Sequence, residues 1–67
     1  MVDPKKIRVG SILSYFNKTR IEVYLVSKIN GEQVTYLFFC SDSQEVKEID
    51  WVQRKNFCFD GCSFLVE

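Results

Sequence analysis

The sequence predicts an all-β fold, a small, strongly curved antiparallel sheet of five to six strands closed or nearly closed into a barrel. Three observations lead there. Period-two alternation runs through residues 21–29 and again through residues 34–40. Between them stands Asn30-Gly31, a dipeptide suited to a two-residue type I′ turn, where both central residues need positive φ. Turn signals then recur too closely for a long amphipathic helix. Closure into a barrel also hides sheet edges that would otherwise pair with other chains.

Taken in order, residues 7–16 are rich in β-branched and aromatic side chains and read as the first strand, with Gly10 marking a bend near its start and residues 17–20 its turn. In the central hairpin Ile21, Val23, Leu25 and Ile29 hold odd positions, Ser27 being the one polar member, and Val34, Tyr36, Phe38 and Cys40 hold even ones. With Ile29 facing Glu32, Ser27 pairs with Val34, Leu25 with Tyr36, Val23 with Phe38 and Ile21 with Cys40, which gathers the apolar partners on one face. On the other face Lys28 meets Gln33, Val26 meets Thr35, Tyr24 meets Leu37 and Glu22 meets Phe39. Residues 41–45 read as a loop, in which Asp42 and Glu45 have capping-box spacing. A short strand at 46–49 and a single turn through 51–54 follow. Residues 56–59 and 62–66 read as two more strands joined by a turn at Asp60-Gly61. The whole, residues 1–67, is expected to be one small domain, with 1–6 a flexible N-terminal segment.

Size and composition narrow the function. With 67 residues, a chain of this length buries only about 60% of the surface its unfolded form exposes, so little is left for a deep catalytic pocket. Nothing approaches the roughly 20 apolar residues of a membrane span, and the charged start of the chain leads into no signal-type apolar run, so a cytoplasmic protein is expected. The formal net charge is zero, which argues against a dedicated duplex-DNA binder. That zero hides an asymmetry. Residues 1–28 carry six basic and two acidic side chains, a net +4, and the remainder three basic and seven acidic, a net −4. Folding either intermixes these sets or keeps them apart as one basic and one acidic surface.

Catalytic constellations are missing. The chain has no histidine, so no triad or imidazole base can be built, and its three glycines are too dispersed for a phosphate-cradling loop. No cofactor is expected. Cys40, Cys58 and Cys62 are an odd set that fits reduced thiols acting as small hydrophobes. The sharper alternative is a zinc site of Cys40, Cys58 and Cys62 with a carboxylate such as Asp60 as fourth ligand.

The residues Val9-Gly10-Ser11-Ile12-Leu13, the hairpin about Asn30-Gly31, and Val46-Lys47-Glu48-Ile49-Asp50-Trp51 together resemble the SH3-like small barrels, the group that includes Tudor and KOW-type domains. The resemblance covers roughly residues 7–59. It implies a non-catalytic module that binds peptides, proteins or nucleic acid, and residues 62–67 would add a strand or tail to the usual barrel.

Ten aromatic residues are more than the core requires, and the expected function is binding of another protein, as an accessory or inhibitory subunit. The partner-binding residues expected are Tyr24, Leu37, Phe39 and Trp51, unless a second layer covers them. The alternative is single-stranded nucleic acid or RNA, with aromatic stacking and phosphate contacts from Lys18, Arg20 and Lys28. A third mode, resembling Tudor domains, would set Tyr and Trp walls around a methylated cation balanced by Glu48 or Asp50. A homodimer would be another way to hide apolar surface. Small phage or mobile-element proteins acting on host machinery have this size.

Overall fold

The computed structural model describes residues 2–57 and 61–67 and shows an all-β protein. Its strands are β1 (Ile12–Phe16), β2 (Ile21–Asn30), β3 (Gln33–Cys40), β4 (Glu45–Gln53) and β5 (Cys62–Val66), with one helical turn, α1 (Arg54–Phe57), before the last. All pairings are antiparallel, in the order β4-β3-β2-β1-β5. β1 to β4 form a meander, and β5 returns to pair with β1. Among the described residues β4 and β5 are both edges, so the sheet stays open where the sequence led us to expect closure.

The central hairpin forms where expected but in a different register. Asn30 pairs with Gln33, so the loop is Gly31-Glu32, and only its glycine has positive φ (+61°), the Gly-first pattern of a type II′ turn. Near the turn Ile29 therefore pairs with Val34 and Lys28 with Thr35. A bulge at Ser27 then shifts the ladder by one, and beyond it Val26 pairs with Tyr36, Leu25 with Leu37, Tyr24 with Phe38, Val23 with Phe39 and Glu22 with Cys40. The expected pairs of Leu25 with Tyr36 and Val23 with Phe38 are each off by one residue. The bulge has a physical reason in Ser27. An unbroken ladder would turn this hydroxyl onto the core face, whereas the bulge leaves it exposed, donating to the Thr35 carbonyl at 3.2 Å.

Register decides which side chains are inside. The core face carries Cys62 and Phe64 from β5, Leu13 and Tyr15 from β1, Tyr24, Val26 and Ile29 from β2, Val34, Tyr36 and Phe38 from β3, and Val52 from β4. Leu13, Val26 and Val34 are fully buried, each stabilising the fold by about 1.5–3 kcal/mol. Cover comes from the chain's own short segments. A 3-10 turn at Pro4–Lys6, capped by Asp3 Oδ1 accepting from the Lys5 N–H at 3.0 Å, brings Val2 and Ile7 down onto this face. Of residues 2–6, the described part of the segment expected to be flexible, Val2 is buried in the core while Asp3, Lys5 and Lys6 are exposed. α1 supplies Phe57, whose ring lies 4.8 Å from that of Tyr36 and 5.8 Å from that of Tyr24.

Other departures are local. Residues 7–11 are not strand: Gly10, at φ +93°, turns the chain, and Ser11 is buried, its hydroxyl accepting from the Arg8 N–H and donating to the Glu67 carbonyl at 2.9 Å. Asp42 and Glu45 cap no helix, because residues 41–44 close a β3–β4 loop with the Gln44 N–H on the Cys40 carbonyl at 2.9 Å. β4 is twice the expected strand, running through Trp51. Asn56 and Phe57, expected in a strand, lie in α1 instead, where the Arg54 N–H donates to the Glu32 carbonyl at 2.7 Å and the helical turn aims Phe57 inward. Cys58, Phe59 and Asp60 lie outside the described residues, and β5 pairs with β1.

Gly61 and Gly10 form a matched pair for test. Both have φ near +94° (+95° and +93°), yet a Cβ at Gly61 would stand 3.0 Å from the Tyr15 ring whereas one at Gly10 meets nothing within 4 Å. Both alanine variants carry the backbone strain, and only Gly61→Ala adds a clash. We expect Gly61→Ala to cost about 1 kcal/mol more than Gly10→Ala in urea unfolding. Equal costs would show that the Tyr15 ring yields freely.

Candidate interaction surface

The sheet's second face is built by the side chains that alternate with the core. Across the strands they fall into rows: Ile12, Leu25, Leu37 and Glu48; Ser14, Val23, Phe39 and Val46; and Phe16 with Ile21. Neither the N-terminal turn nor α1 reaches this side, since both pack on the core. Phe16 is 67% exposed, Val46 65%, Trp51 56% and Ile21 42%. Between them Val23, Leu25, Leu37, Phe38, Phe39 and Val46 line a shallow groove of about 240 Å³. Solvent-facing sheets are usually polar, and this one is not.

The expected contact residues divide. Leu37 and Phe39 lie on this outer face, and Trp51, alternating with inward Val52, belongs to it as well. Tyr24 is on the opposite face. It is buried, its ring stacked on Phe38 at 5.3 Å and edge-on to Tyr36 at 5.7 Å. The one-residue register shift separates Tyr24 from Leu37 and brings Val23 and Leu25 into its place. Ile12, Phe16, Ile21 and Val46 were not expected at the surface site. Their sequence signal was available in the alternation Ile12, Ser14, Phe16 against Leu13, Tyr15. An aromatic cage of Tyr24 or Tyr36 with Trp51 is likewise excluded, because the tyrosines and the tryptophan face opposite sides of the sheet.

The basic residues do not converge on one groove. Lys18 and Arg20 lie at the β1–β2 end, while Lys28 lies near the β2–β3 turn, and eight residues of strand separate Arg20 from Lys28, about 26 Å at roughly 3.3 Å per residue. Arg20 is also engaged: its Nε donates to Glu22 Oε2 at 2.8 Å. Glu22 is buried on the core face, and its other oxygen accepts from the Tyr24 hydroxyl. Burial holds the Tyr24 phenol well above its usual range, helped by the hydrogen bond to Glu22 and by that carboxylate's charge, and burial raises Tyr36 in the same direction.

Cys62, Tyr15, Glu22 and Cys40 occupy one row across four strands, which puts Cys62 and Cys40 three strand spacings apart, about 14 Å at roughly 4.8 Å each. They cannot share one metal ion. Cys58, the third cysteine of the proposed zinc set, lies outside the described residues, and among those described no His, Cys, Asp and Glu side chains cluster as metal ligands. A second hollow, of about 310 Å³, lies between the N-terminal segment (Val2, Asp3, Lys6) and β5 (Cys62, Ser63, Phe64). No described helix is long and apolar enough to cross a membrane.

Compared with protein-family models, with curated protein sequences and with solved structures, the chain gives no match. The fold and the surface therefore define only a class: an all-β protein whose described strands form one open antiparallel sheet, covered on one face and apolar and partly exposed on the other.

Two measurements follow. The contribution of Tyr24 and Tyr36 to stability should be constant below the phenol's usual value of 10.0 and fall above it, because the unfolded chain then releases phenolic protons that these tyrosines retain in the fold. Tyr24→Phe should reduce the slope of the urea midpoint between pH 9.5 and 11; an unchanged slope would mean that Tyr24 ionises freely in the fold. Separately, Ser14 sits in the outer face fully buried, its hydroxyl without a partner among the described residues. Ser14→Ala should raise stability by about 1 kcal/mol; a loss would reveal a hydrogen bond that the hydroxyl makes.

Proposed function

We propose that this protein is a non-catalytic interaction module that binds a protein partner through the outer face of its sheet. One observation carries the reading: half-buried Val23, Leu25, Leu37 and Phe39 line an apolar groove beside exposed Phe16, Ile21, Val46 and Trp51, although the same chain covers its other face with Val2, Ile7 and Phe57. Leaving large apolar groups in water costs a small domain stability, about 25 cal/mol per Å² that burial would have gained. A bare apolar face in so small a fold has a use in binding. Phe39 and Trp51 are the aromatic anchors, Leu37, Val23 and Leu25 the groove floor, and Phe16, Ile21 and Val46 its rim. The absence of histidine supports a role without catalysis.

The SH3-like reading of the fold belongs here too. The order β5-β1-β2-β3-β4, with one helical turn before β5, is compatible with such a barrel, and bulges at Ser27 and at Asp50–Trp51 coil the sheet toward closure.

A photo-crosslinking residue tests the reading directly. Placed at Val46 it should give discrete protein adducts, and placed at Lys55, exposed in α1 away from this face, it should give none. In parallel a hydrophobic dye should bind the wild-type chain, and Val46→Glu should weaken that binding several-fold. Equal adducts at both positions, with dye binding untouched by Val46→Glu, would dismiss the outer face as the site.

A further inference from the structure

We propose that the occupant of the outer face is a second copy of this chain, docked face to face about a two-fold axis parallel to β2 and β3. The inference rests on the reading of that face as a protein-docking surface and names its partner. Two observations carry it, the placement of charge and the size of the bare patch.

Folding places opposite charges on two loops at one end of the sheet. β1 carries no charge and β2 only Glu22 and Lys28, with Lys18 and Arg20 in the loop between them, whereas the β3–β4 loop and β4 carry Asp42, Glu45, Glu48 and Asp50 against the single Lys47. The β1–β2 loop, with Lys18 and Arg20, and the β3–β4 loop, with Asp42, stand side by side at the same end of the sheet. The Ile21 N–H donates to Ser41 Oγ at 2.9 Å and the Ser41 N–H to the Ile21 carbonyl at 3.0 Å. At this end the apolar outer face therefore has a basic loop on the β1–β2 flank and an acidic loop on the β3–β4 flank, with Glu48 of β4 in the same face. A two-fold axis running along the strands, between β2 and β3, exchanges these flanks without exchanging the ends of the sheet. The loop of Lys18 in one copy then meets the loop of Asp42 in the other, and the contact occurs twice. A surface of this kind complements itself.

The patch is also of the size a pair requires. An aromatic side chain buries about 150–250 Å² when covered, and this face offers Phe16 and Trp51, both more than half exposed, together with Phe39 and six aliphatic residues. The sum is on the order of several hundred Å², above what single soluble chains usually leave bare and near the roughly 800 Å² per partner of a standard interface.

Sedimentation equilibrium of the purified chain, read with designed variants, decides the matter. The wild type should sediment at twice 7.9 kDa at micromolar concentration. Val46→Glu, at an exposed position that tolerates change in a lone fold, should raise the dimer dissociation constant at least about tenfold by burying an unpaired charge. Trp51→Ser is the second variant, and circular dichroism checks that both remain folded. Lys18→Glu alone and Asp42→Lys alone should each weaken the dimer about three- to tenfold, most at low salt, because each places like charges together twice. Mixing these two variants should restore the wild-type affinity, since every flank contact in the mixed pair is again complementary. A dimer that ignores Val46→Glu and Trp51→Ser, or one that breaks with them but ignores both charge reversals, overturns the inference. So does a monomer at all concentrations. In that last case the crosslinks and dye binding at Val46 separate the two claims: if they persist, the face docks a foreign protein, and if they are absent too, the docking surface falls with the dimer.

Discussion

With Gly31 as the first loop residue, Asn30 pairs with Gln33, and every contact across β2 and β3 is fixed as far as the bulge at Ser27. The bulge then moves the ladder by one and fixes the rest. Because a strand's side chains alternate with period two, this small backbone adjustment selects between two complete sets of residues. One set, Tyr24 and Val26 with Tyr36 and Phe38, packs against Leu13 and Phe57. The other, Val23 and Leu25 with Leu37 and Phe39, faces out. The core, the placement of the buried Glu22 and the composition of the outer face all descend from it.

The same row of the sheet is disturbed twice. Opposite Thr35, β2 inserts Ser27 and β4 inserts a residue at Asp50–Trp51, so β3 runs between two bulged neighbours. The Thr35 side chain donates to the Asp50 carbonyl and its own carbonyl accepts from Ser27, so hydrogen bonds hold both irregularities in place. Paired bulges at one level bend and twist a sheet on both sides of a single strand. The bend lets α1, reached from the far edge, lay Phe57 between Tyr24 and Tyr36 and close the core from above.

The existence of the central strands was legible in the sequence because alternation and turn residues are local signals. Their register was not. In β2 both parities are apolar, Ile21, Val23 and Leu25 on one side and Tyr24 and Val26 on the other, so the hydrophobic pattern gives no preference between faces. Asn30-Gly31 suggested a loop one residue earlier than the one that forms, and a bulge has no sequence mark beyond a polar residue in an apolar series, here Ser27. The candidate site inherited that ambiguity: Leu37, Phe39 and Trp51 keep a common face and Tyr24 leaves it. α1 was missed because Asn56 and Phe57 have no helical periodicity in four residues, and the turn is set by tertiary contact, the Arg54 N–H on the Glu32 carbonyl and Phe57 in the core.

Ambiguity of register and a bare apolar face have one origin. A sheet that is to be covered on one side and to bind on the other needs apolar residues at both parities, and a sequence written that way gives up the alternation that would pin its register. Something else must then hold the strands in place. Here it is local chemistry at a few points: the glycine at 31, and the Ser27 and Thr35 hydrogen bonds, which cross from strand to strand at the two bulges. A slip by one would carry Glu22 and Tyr24 to the outside together and take the Tyr24 ring away from Phe38, Tyr36 and Phe57. The turn and the two bulges thus hold the register of a sheet whose hydrophobic residues alone would fit equally well either way.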